Sequence, residues 1–197
     1  MIRFMKKYLF VLMLLPVLMM GCEEPEITDR KPVVRTYEDD KFRVSFWLET
    51  SEGEKATVFK QGEDIVMHYQ LKIIANDSMH VAIKYCMPSE GPVCGDIYSS
   101  TDDSIMSRFA VTRFGDDYGY KVCGPGDCVD WTWSYPDETR YANCAYLTEG
   151  KYYTKLQPRL AYFNRRPWVT SEEMDQLKEV KTTYVVIPEF RIDFEIR

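Results

Sequence analysis

Ile65-Val66-Met67-His68-Tyr69-Gln70-Leu71-Lys72-Ile73 decides the fold class. Its odd-numbered members are apolar and its even-numbered ones mostly polar, the two-residue period of a strand with one buried face. Asn76-Asp77-Ser78 supplies turn residues, and Met79, Val81, Ile83 and Tyr85 resume the alternation, so a hairpin is the economical reading. Upstream, Phe42, Val44, Phe46 and Leu48 share a face, while Arg43, Ser45, Trp47 and Glu49 share the other. Ser51-Glu52-Gly53-Glu54 and Gln61-Gly62-Glu63-Asp64 read as turns. Segments 108–114, 118–123, 151–156, 182–187 and 190–197 alternate in the same way, with Gly115-Asp116-Asp117 as a hairpin turn between the first two. One stretch reads as helix: Thr170 with Glu173 forms a capping box that opens a short segment near 171–180, with Met174 and Leu177 facing inward. Many short strands and almost no helix predict an all-β chain, an antiparallel β-sandwich.

The N-terminus is of a different kind. Arg3, Lys6 and Lys7 precede an apolar run over residues 8–20, too short for the roughly 20 residues of a spanning helix but suited to a signal peptide. The run ends Leu18-Met19-Met20-Gly21-Cys22, which resembles the lipobox of bacterial lipoproteins, with Cys22 as the acylated residue. Met19 departs from the usual Leu of that motif. Glu23, Glu24 and Glu26 follow directly, an acidic cluster that resembles the surface-export signal of Bacteroidota lipoproteins. The expected organisation is therefore a signal peptide over 1–21, a flexible acidic tether over 22–40 and a β-sandwich domain over 41–197. The expected location is the outer membrane, lipid-anchored and surface-exposed. Three of the 25 basic residues lie in the signal, leaving 22 against 31 carboxylates and a mature net charge of −9. Such a chain repels phosphate backbones, which excludes nucleic acid as a partner.

Five cysteines follow Cys22, and an exported chain permits disulfides. Cys123 and Cys128 bracket Gly124-Pro125-Gly126-Asp127, and Cys86 and Cys94 bracket Pro88, Gly91 and Pro92. Bridges 86–94 and 123–128 are the preferred pairing, with Cys144 odd; spacing alone leaves others open. No spacing resembles a metal site, and no metal or cofactor is expected.

Phe59-Lys60-Gln61-Gly62-Glu63-Asp64-Ile65, the alternating strand after it and the Asn76-Asp77-Ser78 turn together resemble the opening of intracellular proteinase inhibitor (BsuPI-like) domains. Leu147-Thr148-Glu149-Gly150-Lys151-Tyr152-Tyr153-Thr154 resembles a later strand of that family. The resemblance covers about two-thirds of the mature chain and implies an immunoglobulin-like sandwich. Its motifs are turn glycines and strand faces, so no inhibitory residue carries over. The cysteine loops, Trp131-Thr132-Trp133 and residues 157–180 fall outside it.

Both histidines, His68 and His80, fall at outward positions of strands, which disfavours a catalytic triad. Asp102-Asp103, Asp116-Asp117 and Asp127 with Asp130 read as solvated turn carboxylates rather than a calcium loop. Aromatics make up 14% of the chain. Trp131, Trp133, Tyr135, Tyr141 and Tyr146 form one group, and Tyr162, Phe163, Arg165, Arg166 and Trp168 a second. Trp47, Trp131, Trp133 and Trp168 are the ligand-binding candidates, with Trp47 the best placed for exposure. Asp77-Ser78-Met79 and Asp103-Ser104-Ile105 resemble Bacteroidota O-glycosylation acceptors, which makes Ser78 and Ser104 candidates. The expected function is a non-enzymatic binding module held at the membrane by its lipid, with a protein or glycan partner. The alternatives are a proteinase inhibitor and a glycan-binding accessory protein of a polysaccharide-uptake system.

Overall fold

A computed structural model describes residues 31–82, 94–109, 120–142, 144–164 and 180–197. Strands β1 (Val34–Glu38), β2 (Phe42–Thr50), β3 (Val58–Phe59), β4 (Ile65–Ile73) and β5 (Met79–Ala82) come first. Next are β6 (Cys94–Ser99), β7 (Ile105–Phe109), β8 (Tyr120–Cys123), β9 (Cys128–Tyr135) and β10 (Tyr141–Ala142). The last are β11 (Gly150–Leu156), β12 (Arg159–Phe163), β13 (Thr182–Val186) and β14 (Phe190–Ile196). They form a four-stranded sheet, β1-β2-β4-β9, and a six-stranded sheet, β10-β7-β6-β11-β14-β3. A third, four-stranded sheet runs β13-β12-β5-β8. Pairing is antiparallel except between β3 and β14. The chain is all-β among the described residues.

The alternation read from the sequence places the core. Phe42, Val44, Phe46 and Leu48 on β2 and Ile65, Met67, Tyr69, Leu71 and Ile73 on β4 are all buried. The six-stranded sheet answers with Ile97, Tyr152, Leu156, Phe190, Ile192, Phe194 and Ile196. The two sheets pack face to face. Phe109 lies 6.0 Å from Trp133, Tyr135 and Tyr141 meet edge to face at 5.0 Å, and the Tyr141 hydroxyl lies 3.7 Å from Met67 Sδ. Each such aliphatic or aromatic burial contributes about 1.5–3 kcal/mol, so truncating Leu71 to Ala would cost about 2–5 kcal/mol.

The third sheet corrects the hairpin reading. Asn76-Asp77-Ser78 does not fold β5 back onto β4; β5 pairs instead with β8 and β12. The β4–β9 and β5–β8 ladders continue one another with a shift of two residues, so β4 runs on into β5 and β8 into β9. The β11–β14 and β12–β13 ladders likewise continue with a shift of one. Pro158 and Pro188 lie at that second bend, where each removes a ladder donor. Two strand pairs, one from each main sheet, thus bend and meet along β5 and β12. β7 and β8 belong to different sheets and do not pair; Gly115-Asp116-Asp117 lies outside the described residues.

The first bend also corrects the 123–128 bridge. Gly124-Pro125-Gly126-Asp127 is a turn within a continuing strand: Asp127 N donates to Gly124 O at 3.1 Å, and Gly126 sits at φ +84°. Proline second and a left-handed glycine third are what such a turn requires. The turn leaves Cys123 buried opposite Met79 and Cys128 exposed opposite Lys72. Their thiols therefore point to core and solvent, and Cys123, Cys128 and Cys144 are unbridged. Cys86 lies outside the described residues, and of Cys94 only the backbone is described, in β6.

Two more expectations change, and a third lies outside the described residues. Residues 34–38 of the expected 22–40 tether are strand β1, paired with β2 along all five residues, and Thr57 Oγ1 donates to Lys31 O at 2.6 Å. Its charges are those of an edge strand, which discourage further pairing, and so they mimic a linker in the sequence. The aromatic group around Trp131, absent from the strands read in the sequence, lies on strand β9. The short helix near 171–180 lies outside the described residues except Val180, which is irregular.

Candidate functional site

The β2–β4 ladder runs through nine pairs, from Phe42 with Ile73 to Thr50 with Ile65, without a register break. Side chains on its outward face therefore line up in rows across the sheet. One row is Val34, Trp47, His68 and Thr132. The Trp47 and His68 rings stack at 5.2 Å, 7° from parallel. Glu49 ties them together: Oε1 accepts the indole N–H at 2.6 Å, and Oε2 lies 2.7 Å from His68 Nε2. Thr132 Oγ1 lies 3.3 Å from His68 Nδ1, and Lys55 Nζ stands over the indole at 4.4 Å. Neighbouring rows are linked too, through Gln70 to Asp130 at 2.7 Å and Arg43 to Glu38. The side chains of this face hold one another in place.

The six-stranded sheet is built differently. Its β6–β11 register shifts between Thr154 and Leu156, and its β6–β7 register shifts between Ile97 and Tyr98. Gly95, at φ +73°, is the residue at the break, and Tyr141 donates to its carbonyl at 3.0 Å. A glycine bulge of this kind re-aims the residue that follows it. Asp96 is nearly buried there; it accepts from Phe109 N at 2.7 Å and from the Tyr98 hydroxyl at 3.4 Å. Burial pushes its carboxyl above the usual carboxylate range despite those donors.

Beyond the bulge the outward face carries a cation–aromatic stack. Tyr98 and Tyr153 stack at 5.0 Å, and the Arg191 guanidinium lies 3.7 Å from the Tyr153 ring. Arg191 also holds Asp193 Oδ1 through Nη2 at 2.7 Å. The Tyr153 hydroxyl donates to Asp103 at 2.9 Å, and burial with that bond raises its pKa. Asp103 itself sits at φ +58° in the β6–β7 turn. Next to this stack an open cleft of about 340 Å³ runs over β11 and β14 toward β3. Tyr152, Phe194 and Val58 line it, with Lys151, Asp193, Glu195 and Arg197 from the two strands and Ser100, Thr57 and Lys31 around it.

Trp47 lies on the outward face, half-buried, its indole held by His68, Glu49 and Lys55. Trp133 is a core residue, 4% exposed, stacked on Phe46. Trp131 is half-buried against Tyr69 at the end of the same inward row. Trp168 lies outside the described residues, as does Cys22. The three described tryptophans therefore do not share one face: Trp47 is outward, Trp131 and Trp133 inward. Ser78 and Ser104 are both exposed, and Ser104 Oγ donates to Asp102 at 2.8 Å. His68 and His80 stand on strands of different sheets, β4 and β5. The cleft was missed by the sequence reading, although the charges at Asp193, Glu195 and Arg197 mark its wall. No protein-family model matches the chain, and neither does any curated protein.

Proposed function

We propose that this is a lipid-anchored cell-envelope protein whose domain, an immunoglobulin-like sandwich of the BsuPI-like kind, binds rather than catalyses. The observation that carries the binding reading is the interlocked outward face of the four-stranded sheet. Trp47, Glu49, His68 and Thr132 come from three strands and are fixed by one another before any partner arrives. Preorganised side chains lower the entropy lost on association. The two main sheets packed face to face support the sandwich. The apolar run ending at Gly21-Cys22 supports the anchor, and the acidic residues after it support display at the outer surface.

The inhibitor alternative needs a rigid loop that enters a protease cleft, and residues 124–127 do not supply it, since they form a bend inside a ladder. The glycan alternative gains a specific observation, the cleft on the six-stranded sheet.

Fractionation of cells making the wild type or Cys22→Ala tests the anchor. The wild type is expected in the outer-membrane fraction, labelled by palmitate and cut by protease added to intact cells; Cys22→Ala is expected soluble and unlabelled. Wild type recovered soluble and unlabelled would contradict it.

A further inference from the structure

We infer that the open edge of β9 takes up an extended peptide of a partner protein as a fifth strand, one that carries a basic residue between apolar ones. The inference rests on reading the domain as a binder, and it names the partner's chemistry. Backbone direction comes first. Ile73 N donates to Asp127 O at 2.9 Å, and Ile74 N donates to Lys41 O at 2.8 Å. Odd residues of β4 therefore bond toward β9 and even ones toward β2. The β4–β9 register sets odd residues opposite odd ones, so Val129, Trp131, Trp133 and Tyr135 turn their amides to β4. Cys128, Asp130, Thr132 and Ser134 turn theirs the other way. Among the described residues no strand pairs with that side of β9, and none of these N–H and C=O groups has a backbone partner there. Cys128, Asp130 and Thr132 are exposed, so the edge is within reach of a partner. Such an edge is a template for another strand.

The two edges of this sheet differ. β1 carries Arg35 and Glu38, and Arg35 Nε donates across to Arg191 O at 2.7 Å. β9 carries one charged residue, Asp130. Side chains then select the partner. On the outward side Asp130 Oδ1 accepts from Gln70 at 2.7 Å, and among the described residues Oδ2 accepts nothing, which suits a cation on the added strand. Lys72 stands one strand further in, opposite Cys128. On the inward side Val129 and Trp131 are only partly buried against the core, and apolar side chains beside them would complete their cover. Apolar, basic, apolar is thus the pattern that fits. A second copy fits less well, because it brings another Asp130 to the same seam in a chain of net charge −6. Thr132 belongs to the row with Trp47 and His68, so the added strand would extend the interlocked face.

The test is amide hydrogen exchange of the full-length chain in a non-ionic detergent, alone and with synthetic peptides. The probe alternates valine with lysine and threonine. One control replaces lysine by glutamate, and another is N-methylated at the lysines and threonines, whose N–H groups face β9. In the chain alone, amides of Cys128, Asp130, Thr132 and Ser134 should exchange fast, and those of Val129, Trp131 and Trp133 slowly. The lysine peptide should slow the first set about tenfold. The glutamate peptide should bind about tenfold more weakly, and the N-methylated one should protect nothing. Asp130→Lys should reverse the preference between lysine and glutamate peptides. Ser134→Pro, which removes only an edge donor, should weaken binding about tenfold with little change in the unfolding midpoint. Arg159→Ala, on the third sheet, should bind as wild type does. No protection of the edge amides by the lysine peptide, equal affinity for lysine and glutamate peptides, or protection that grows with protein concentration alone overturns the inference, the last by making the occupant a second copy. Cleavage of the peptide overturns instead the binder reading beneath it.

Discussion

The two main sheets use the same alternation and reach opposite results on their outward faces. In the four-stranded sheet the register never breaks between β2 and β4, so outward side chains stand opposite one another and close into pairs. In the six-stranded sheet the Gly95 bulge breaks the register of β6 against β11 and draws a carboxylate inward. A regular ladder produces a flat face whose side chains hold one another in place. An interrupted one turns a polar side chain toward the core.

Removing the interruption should be the most damaging change. Gly95 is left-handed, and a Cβ there would meet Trp133 Nε1 at 2.7 Å. Gly95→Ala should therefore cost about 3 kcal/mol in urea unfolding, from backbone strain plus displacement of a core indole. Trp133→Phe in the same background should recover part of that loss by making room.

Asp96 is the second lever. Asp96→Ala leaves Phe109 N–H without its acceptor and should cost about 2 kcal/mol. Asp96→Asn keeps an acceptor and removes the charge that burial disfavours. Because the folded carboxyl titrates above its ordinary 3.8, folding favours its protonated form. Wild-type stability attributable to this group is thus full at acid pH and lost as pH rises through the folded value. Asp96→Asn should equal or exceed wild type at neutral pH, and the gap should close as pH falls toward 3.8. A gap that widens on acidification would place the carboxylate in a different environment.

On the regular sheet the effects are smaller. Glu49→Ala unties Trp47 from His68 and should cost about 1 kcal/mol, with a change in Trp47 fluorescence. Arg43→Ala removes an exposed pair with Glu38 and should leave the unfolding midpoint unmoved. Smallest of all in energy are the thiols: Cys128 should alkylate at once in the native protein, and Cys123 only after unfolding. Burial raises the Cys123 thiol as well, which slows it further. Intact mass of protein from its host would show a glycan on Ser78 or Ser104, or reject both.

The strand faces were legible from residue types alone, because burial needs only a period of two: every inward residue read on β2 and β4 is buried. The turns at Gly53 and Gly62 were legible for the same local reason. Partnership was not. Asn76-Asp77-Ser78 has hairpin composition, yet its strand runs on, since nothing local tells a reversal from a bend. Val129, Trp131, Trp133 and Tyr135 alternate as cleanly as β4 does, but their aromatic density reads as a surface cluster before it reads as a strand. β1 was hidden by the charges that protect an edge. The cleft was invisible because Lys151, Ser100 and Asp193 come from three strands or turns that only the ladder register aligns.

Native-state hydrogen exchange compares the two sheets directly. Amides of β4, paired on both sides along an unbroken register, should exchange only through global unfolding, whereas those of β6 and β7 around Gly95 should open locally at lower free energy. Equal protection in the two sheets, or slower exchange around Gly95 than in β4, would contradict the contrast between a closed face and an interrupted one.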